Sequence, residues 1–150
     1  MKKVHKPAMV ARLWADQSQK SAKTATGTFF FEGDTIYSYG NHFPIARHVK
    51  TKRGHVILLT LNAYSKTTAR HVALVRDVCF QFNVFQVYDI EAKPGALFKE
   101  YRKRVKNMID ADAKAKGRQS HILHHDGWLL SREANKFARH FGLKSRLAVS

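Results

Sequence analysis

The sequence predicts an α+β fold, in which an antiparallel β-meander of about four to five strands packs against about three helices. Short runs rich in Phe, Ile, Val and Tyr, separated by Gly-containing turns, occupy residues 28–61 and are typical of strands. Apolar stripes at helical spacing dominate residues 94–141 instead. We expect residues 1–150 to form a single domain, with a β-rich module containing one helix at about 25–90 and a basic helical part at about 94–150.

The N-terminal segment is predicted to contain one short helix and then a loop. In PAMVARLWAD (7–16), Val10, Leu13 and Trp14 recur at helical spacing after Pro7. The polar and small residues QSQKSAKTATG (17–27) predict a loop.

Five strands follow in the prediction: 28–32, 35–39, 43–49, 55–61 and, less regular in pattern, 80–90. Gly33-Asp34 predicts a tight hairpin between the first two strands. Pro44 lacks a backbone donor, so the third strand is an edge strand or begins just after this residue.

Three longer helices complete the predicted fold. The helix at 64–79 is apolar on most sides and is therefore expected to be buried, with Ser65, Thr67 or Thr68 as its N-cap. A second helix begins at Pro94 and ends at Gly117. The last helix is expected to open at Ser131 and to close at Gly142. Its buried stripe would comprise Ala134, Phe137, Ala138 and Phe141, and the side chains expected to face away are Lys136, Arg139 and His140.

The charge balance predicts an anionic partner. Lys and Arg number 27 against 11 Asp and Glu, a net charge of +16, and such an excess favours association with polyanions. Nucleic acid is the first expectation, ahead of an anionic membrane surface or an acidic protein. A basic but inert soluble protein is the alternative.

Other features exclude several classes of protein. Cys79 is the only cysteine, which excludes an internal disulfide and a Cys-based zinc site and favours a reducing compartment. Residues 1–20 lack the apolar core of a signal peptide, and no run approaches about 18 apolar residues. We expect a cytoplasmic protein (in the host cytoplasm if phage-encoded) without a membrane partner, cofactor or metal.

Cationic helix faces are the predicted nucleic-acid contacts. Four cations recur on one side of the helix after Pro94, opposite its apolar stripe, and the last helix repeats the design in part. The full set expected to contact nucleic acid is Lys99, Arg102, Lys103, Lys106, Lys136, Arg139, Arg47, His48, Lys52 and Arg53. The alternative is that these are ordinary solvated helix and turn residues.

The strands offer a second candidate surface. Tyrosines in TIYSY (35–39) and the Arg in FPIARHV (43–49) could stack bases, although strand aromatics more often form a core. A candidate ligand surface comprises Tyr39, Tyr64, Ser65, Thr68 and His71, together with Arg47 and His48. The alternative is that these side chains bond to one another and fix the hairpin against the helix.

The histidines of SHILHHDGW (120–128) raise the question of an enzyme. His121, His124, His125 and Asp126, followed by Asn135, are similar to the sites of HNH nucleases, in which a His is the general base and others hold a metal. Adjacent histidines of a strand point apart, so the spacing fits such a site poorly. Structural or phosphate-contacting histidines are the preferred interpretation, with no catalytic residue assigned.

Residues 29–71 resemble a group of small proteins of phages and other mobile elements, whose biochemical function is not established. The resemblance rests on EGDTIYSYG (32–40), HFPIARHV (42–49) and YSKTTARH (64–71). It implies a small α/β module with an accessory role in a mobile element, and it implies no catalytic residue.

Three hypotheses follow. The first is a non-enzymatic nucleic-acid-binding accessory protein. The second is an inhibitor of a host defence system, in the manner of anti-CRISPR proteins, or of a host enzyme or nucleoprotein complex. The third is a metal-dependent nuclease built on the His-rich segment.

Overall fold

The computed structural model describes residues 2–39, 43–62 and 65–148. The helices in these ranges are α1 (Pro7–Asp16), α2 (Lys66–Val78), α3 (Pro94–Lys114) and α4 (Arg118–His140). The strands are β1 (Ser21–Lys23), β2 (Phe29–Glu32), β3 (Thr35–Ser38), β4 (Pro44–Thr51), β5 (Gly54–Thr60) and β6 (Asn83–Val87). The predicted α+β class is confirmed.

The chain divides into two compact units. The first comprises Met1–Lys50 and His55–Ile90, and the second comprises Thr51–Gly54 and Glu91–Ser150. The tip of the β4–β5 hairpin is therefore grouped with α3 and α4. That the whole chain folds as one domain stays a prediction.

The six strands form one sheet in chain order. β1, β2, β3 and β4 pair antiparallel in succession, whereas β6 is parallel to β5. The sheet is therefore mixed, because α2 carries the chain back to the start of β5 before β6 begins. The predicted loop at 17–27 is wrong in part, since 21–23 form β1, in which the buried Ala22 lies opposite Phe31.

The predicted turn at Gly33 agrees with the backbone, whereas the prediction for the strand at Pro44 does not. Gly33 has a φ of 59°, a conformation that glycine adopts without the penalty a side chain brings, and it turns the chain between β2 and β3. β4 begins at Pro44 itself and lies between β3 and β5, so the expectation of an edge strand, or of a start just after this residue, is wrong. Pro44 is tolerated because it is the first residue of the strand, opposite Tyr37 where the register shifts.

The core of the first unit lies between the sheet and the helices α1 and α2. Its largest fully buried members include Trp14, Phe29, Phe31, Ile36, Ile45, Ile57 and Leu59. Cys79 is a core residue as expected, and burial raises the pKa of its thiol to about 12.

Helix α2 is less buried than predicted. Ser65 caps it by accepting a bond of 3.1 Å from the backbone N–H of Thr68. Val72 and Val75 are buried on one side, but Ala69 and Ala73 are exposed on the other. Small apolar residues on the solvent side account for the mistaken prediction of an all-round buried helix.

Helices α3 and α4 pack antiparallel in the second unit. Tyr101 contacts Phe137 with ring centroids 5.4 Å apart, and its hydroxyl donates to Glu133 over 2.7 Å. Further along α3, a Cβ on Gly127 would lie 3.8 Å from Cβ of Met108. A later residue of α3 thus pairs with an earlier residue of α4, as an antiparallel pair requires.

The predicted start of the last helix is wrong. Helix α4 begins at Arg118, and Ser131 is a buried residue in its interior. An apolar stripe through Leu123, Gly127 and Leu130 continues the predicted one toward the N-terminus at helical spacing. His140, predicted to face solvent, is buried as well.

Asn135 ties the C-terminal segment to α4. Its side-chain amide donates to the carbonyl of Leu147 over 2.8 Å and its oxygen accepts from the N–H of Leu147 over 2.7 Å. Both ends of this amide are therefore engaged in holding backbone, which is a structural role.

Candidate nucleic-acid interface

The four cations predicted on α3 form one exposed stripe, which we call the α3 stripe: Lys99, Arg102, Lys103 and Lys106. They lie on the side of the helix opposite the buried Leu97 and Tyr101. The guanidinium of Arg102 also lies 5.4 Å from the ring centroid of Phe98. No acidic side chain in the described ranges forms an ion pair with the three lysines of this stripe.

Helix α4 carries a second line of exposed cations. Arg132, Lys136 and Arg139 follow one another at spacings of four and three residues, which places them on one helix face. Arg132 is not among the predicted contacts. The helix was expected to begin at Ser131, so Arg132 would have been in its first turn, outside the predicted cationic face. The apolar stripe through Leu123, Gly127 and Leu130 is the sequence signal that could have placed Arg132 inside a longer helix.

The hairpin tip bonds to the C-terminal end of α4. The hydroxyl of Thr51 donates to the carbonyl of Gly54 over 2.7 Å, so its oxygen is left to accept. His140 Nδ1 lies 3.2 Å from that oxygen, and the ring therefore donates to it. The exposed Lys52 and Arg53 are part of this tip.

Cations from both segments lie near enough to His140 to affect its protonation. The pKa of His140 is lowered, first by burial and then by the positive charges of Lys136, Arg53 and Arg139. We call Arg53, Lys136 and Arg139, together with Lys52 beside Arg53 in the turn, the tip cluster. The structure thus brings Arg53 near Lys136 and Arg139, which the sequence separates. Lys136 also lies near the Glu133 carboxylate, and an anion would relieve the repulsion that remains among the cations.

Side chains of the candidate ligand surface, which lies in the first unit, contact other residues of the protein. Ser38 Oγ and His71 Nδ1 lie 2.7 Å apart in a buried hydrogen bond. The His71 ring stacks on Phe29 with centroids 4.4 Å apart. Tyr39 is 55% exposed, and its ring lies 6.2 Å from His71.

The remaining members of that surface also have internal partners. Ser65 and Thr68 bond to each other at the start of α2, and Arg47 Nε donates to the carbonyl of Ile90 over 2.6 Å. Tyr64 lies outside the described residues. The arrangement is the one expected if these side chains fix the hairpin against the helix.

His48 belongs to a buried chain of hydrogen bonds. Its Nε2 lies 2.9 Å from the carbonyl of Trp14, which can only accept, so Nε2 carries the proton. Its Nδ1 therefore accepts from Nε2 of His55, 2.6 Å away. Burial lowers the pKa of His48, opposed by the bond to the Trp14 carbonyl. The predicted phosphate contact at His48 is thus replaced by a structural bond.

These histidines predict a loss of stability in mild acid. Burial lowers the pKa of His48, His71 and His140, so below their usual pKa of about 6.5 the unfolded chain binds protons that the folded chain does not. The free energy of unfolding should hold steady above about pH 7 and fall as the pH drops through about 6.5. Urea unfolding across this range measures it.

His48→Gln is the matched variant for this pH effect. It should reduce the slope of the free energy of unfolding against pH by at most about 1.4 kcal/mol per pH unit, the limit for one proton. A stability that stays level or rises on acidification would contradict the buried neutral histidines.

The His-rich segment lies on α4. His121, His124 and His125 are exposed on the helix, and Nδ1 of His124 lies 3.8 Å from a carboxylate oxygen of Asp112 on α3. Within 2–39, 43–62 and 65–148, no three or more His, Cys, Asp or Glu side chains are placed to hold one metal ion. The HNH-like hypothesis gains no support from this arrangement.

No protein-family model, curated protein or solved structure matches this chain. The resemblance of residues 29–71 to the mobile-element group therefore rests on its motifs alone. Among the helices that the structure describes, none is long and apolar enough to cross a membrane.

Proposed function

We propose that the protein binds nucleic acid without catalysis, holding backbone phosphates with the α3 stripe and the tip cluster. The observation that carries the proposal is the tip cluster. Thr51 and His140 are 89 positions apart in the chain, yet their contact gathers cations from both segments. Charges that only keep a protein soluble do not have to be close together, because like charges repel each other less when they are dispersed.

The proposed contacts determine how binding should respond to salt. Phosphates are neutralised by Lys and Arg with release of counterions, so a protein making about six such contacts loses roughly three or more powers of ten in affinity between about 50 and 200 mM salt. Phosphate contacts carry no sequence information. Binding should therefore tolerate any sequence and be weak at physiological salt, with a dissociation constant of about 1–100 μM.

Fluorescence anisotropy with labelled DNA and RNA oligonucleotides tests this proposal. Saturable binding at low salt that weakens steeply as salt is added is the expected result. Polyglutamate serves as a control polyanion whose charges are carboxylates. Absence of binding to every oligonucleotide at low salt would overturn the proposal.

A protein partner is the second candidate function, and Phe80 is the observation that favours it. This side chain, in the turn between α2 and β6, is 86% exposed, which is unusual for so large an apolar group. An inhibitor of a host defence or enzyme complex could use it as a contact. Capture of one purified host complex that survives nuclease treatment, and that Phe80→Ser abolishes, would favour this function; loss of capture on nuclease treatment would exclude it.

A further inference from the structure

Three side chains form a line of stacked planar groups on α4, which we call the ring ladder: His125, Trp128 and Arg132. The rings of His125 and Trp128 lie 6.2 Å apart at an interplanar angle of 22°. The guanidinium of Arg132 lies 4.8 Å from the centroid of the Trp128 ring. His125 and Arg132 are exposed, and Trp128 is half-buried.

Trp128 lies at the border of the groove between α3 and α4, which Val105 and Met108 of α3 also line, and part of its ring stays exposed. The buried stripe of α4 passes through Gly127, Leu130, Ala134 and Phe137, and Trp128 lies beside it. The other tryptophan, Trp14, is completely buried. A large aromatic ring at the surface between a histidine and an arginine has the composition of sites that stack nucleic-acid bases.

The ring ladder is continuous with the tip cluster. Arg132 is followed on the same helix face by Lys136 and Arg139. With a rise of about 1.5 Å per residue, Trp128 and Arg139 are about 16 Å apart along the helix axis. One face of α4 therefore offers planar groups at one end and phosphate-binding cations at the other.

We propose that the ring ladder stacks unpaired bases, so that the ligand is single-stranded nucleic acid. This inference rests on the proposed function and names its substrate class. A duplex keeps its base faces covered by neighbouring pairs, whereas a single strand presents them to aromatic and guanidinium planes. Stacking tolerates any sequence, because every base has a π-face.

A comparison of oligonucleotides with and without bases tests the inference. The probes are oligo-dT, oligo-U, a duplex, and an abasic oligomer with the same number of phosphates, all at one low salt concentration. The full-length protein should bind the base-bearing single strands at least about tenfold more tightly than the abasic oligomer. Tryptophan fluorescence should fall on binding, since Trp128 stacks and the buried Trp14 does not.

Trp128→Leu is the decisive variant. It should abolish the preference for bases and the fluorescence change, but leave affinity for the abasic oligomer and the duplex unchanged. Phe80→Leu, an exposed aromatic of the first unit, is the matched control and should change neither. Helical circular dichroism confirms that the variant is folded, and Trp128→Phe should restore part of the preference.

The possible failures are distinguishable. Equal affinity of the wild type for abasic and base-bearing strands, or equal loss of duplex and single-strand binding in Trp128→Leu, would overturn base stacking while leaving phosphate binding in place. Absence of binding to all four probes would overturn the proposed function as well.

Discussion

Replacing Lys99, Lys103 and Lys106 of the α3 stripe with Glu should lower the affinity for nucleic acid at least about a hundredfold at low salt. Each substitution removes one proposed phosphate contact and adds a repulsive charge. The loss should be about equal for all sequences, because phosphates carry no sequence information. Anisotropy titrations with several unrelated oligonucleotides measure it.

A charge-matched control separates this local effect from net charge. Lys3, Lys20 and Lys50 are exposed lysines of the first unit, and their replacement with Glu changes the net charge by the same amount. This control should retain most of the affinity. If both triple variants bind equally weakly, the attraction belongs to the whole charged molecule and the α3 stripe is not a binding surface.

Trp14→Ala should lower the free energy of unfolding of the first unit by about 3–5 kcal/mol. Trp14 is completely buried, and its ring lies 4.4 Å from that of His48. Its indole N–H donates to the carbonyl of Asp34 over 2.9 Å. The substitution thus opens a cavity and removes one of the two hydrogen bonds that this carbonyl accepts, the other coming from the backbone N–H of His48. Chemical denaturation followed by circular dichroism measures the change.

Two further variants calibrate that result. Trp14→Phe keeps most of the ring volume and should cost less than Trp14→Ala. Phe80→Ala removes a side chain that is 86% exposed and should stay within about 0.5 kcal/mol of the wild type. A loss below about 1 kcal/mol for Trp14→Ala would contradict the central place of α1 in this core.

Local sequence patterns were sufficient for most elements. Helix α1, the β2–β3 hairpin and the Ser65 cap each depend on residues within a few positions of one another, where propensity and turn chemistry act directly. Strand β1 escaped prediction because it has three residues and one apolar side chain, too few to show a period. The parallel pairing of β6 depends on partner strands far away in the chain.

The candidate site was predictable only in pieces. The α3 stripe follows from helical periodicity alone. The start of α4 differs from the prediction because the N-terminal part of its stripe is short of large apolar residues: Leu123 and Leu130 keep the helical period, but a glycine occupies position 127 between them. The tip cluster could not be predicted, because the bond between Thr51 and His140 is a tertiary contact.

The salt dependence of binding tests the grouping of cations most directly. The logarithm of the association constant for a single-stranded oligonucleotide should fall linearly with the logarithm of salt concentration, by roughly 0.7 per phosphate contact and about 4 in all. Arg53→Glu with Arg139→Glu should make that slope shallower by about 1.4, two contacts' worth. A wild-type slope near zero, or a double variant with unchanged slope and affinity, would show that the positive charges do not act together as a polyanion-binding surface.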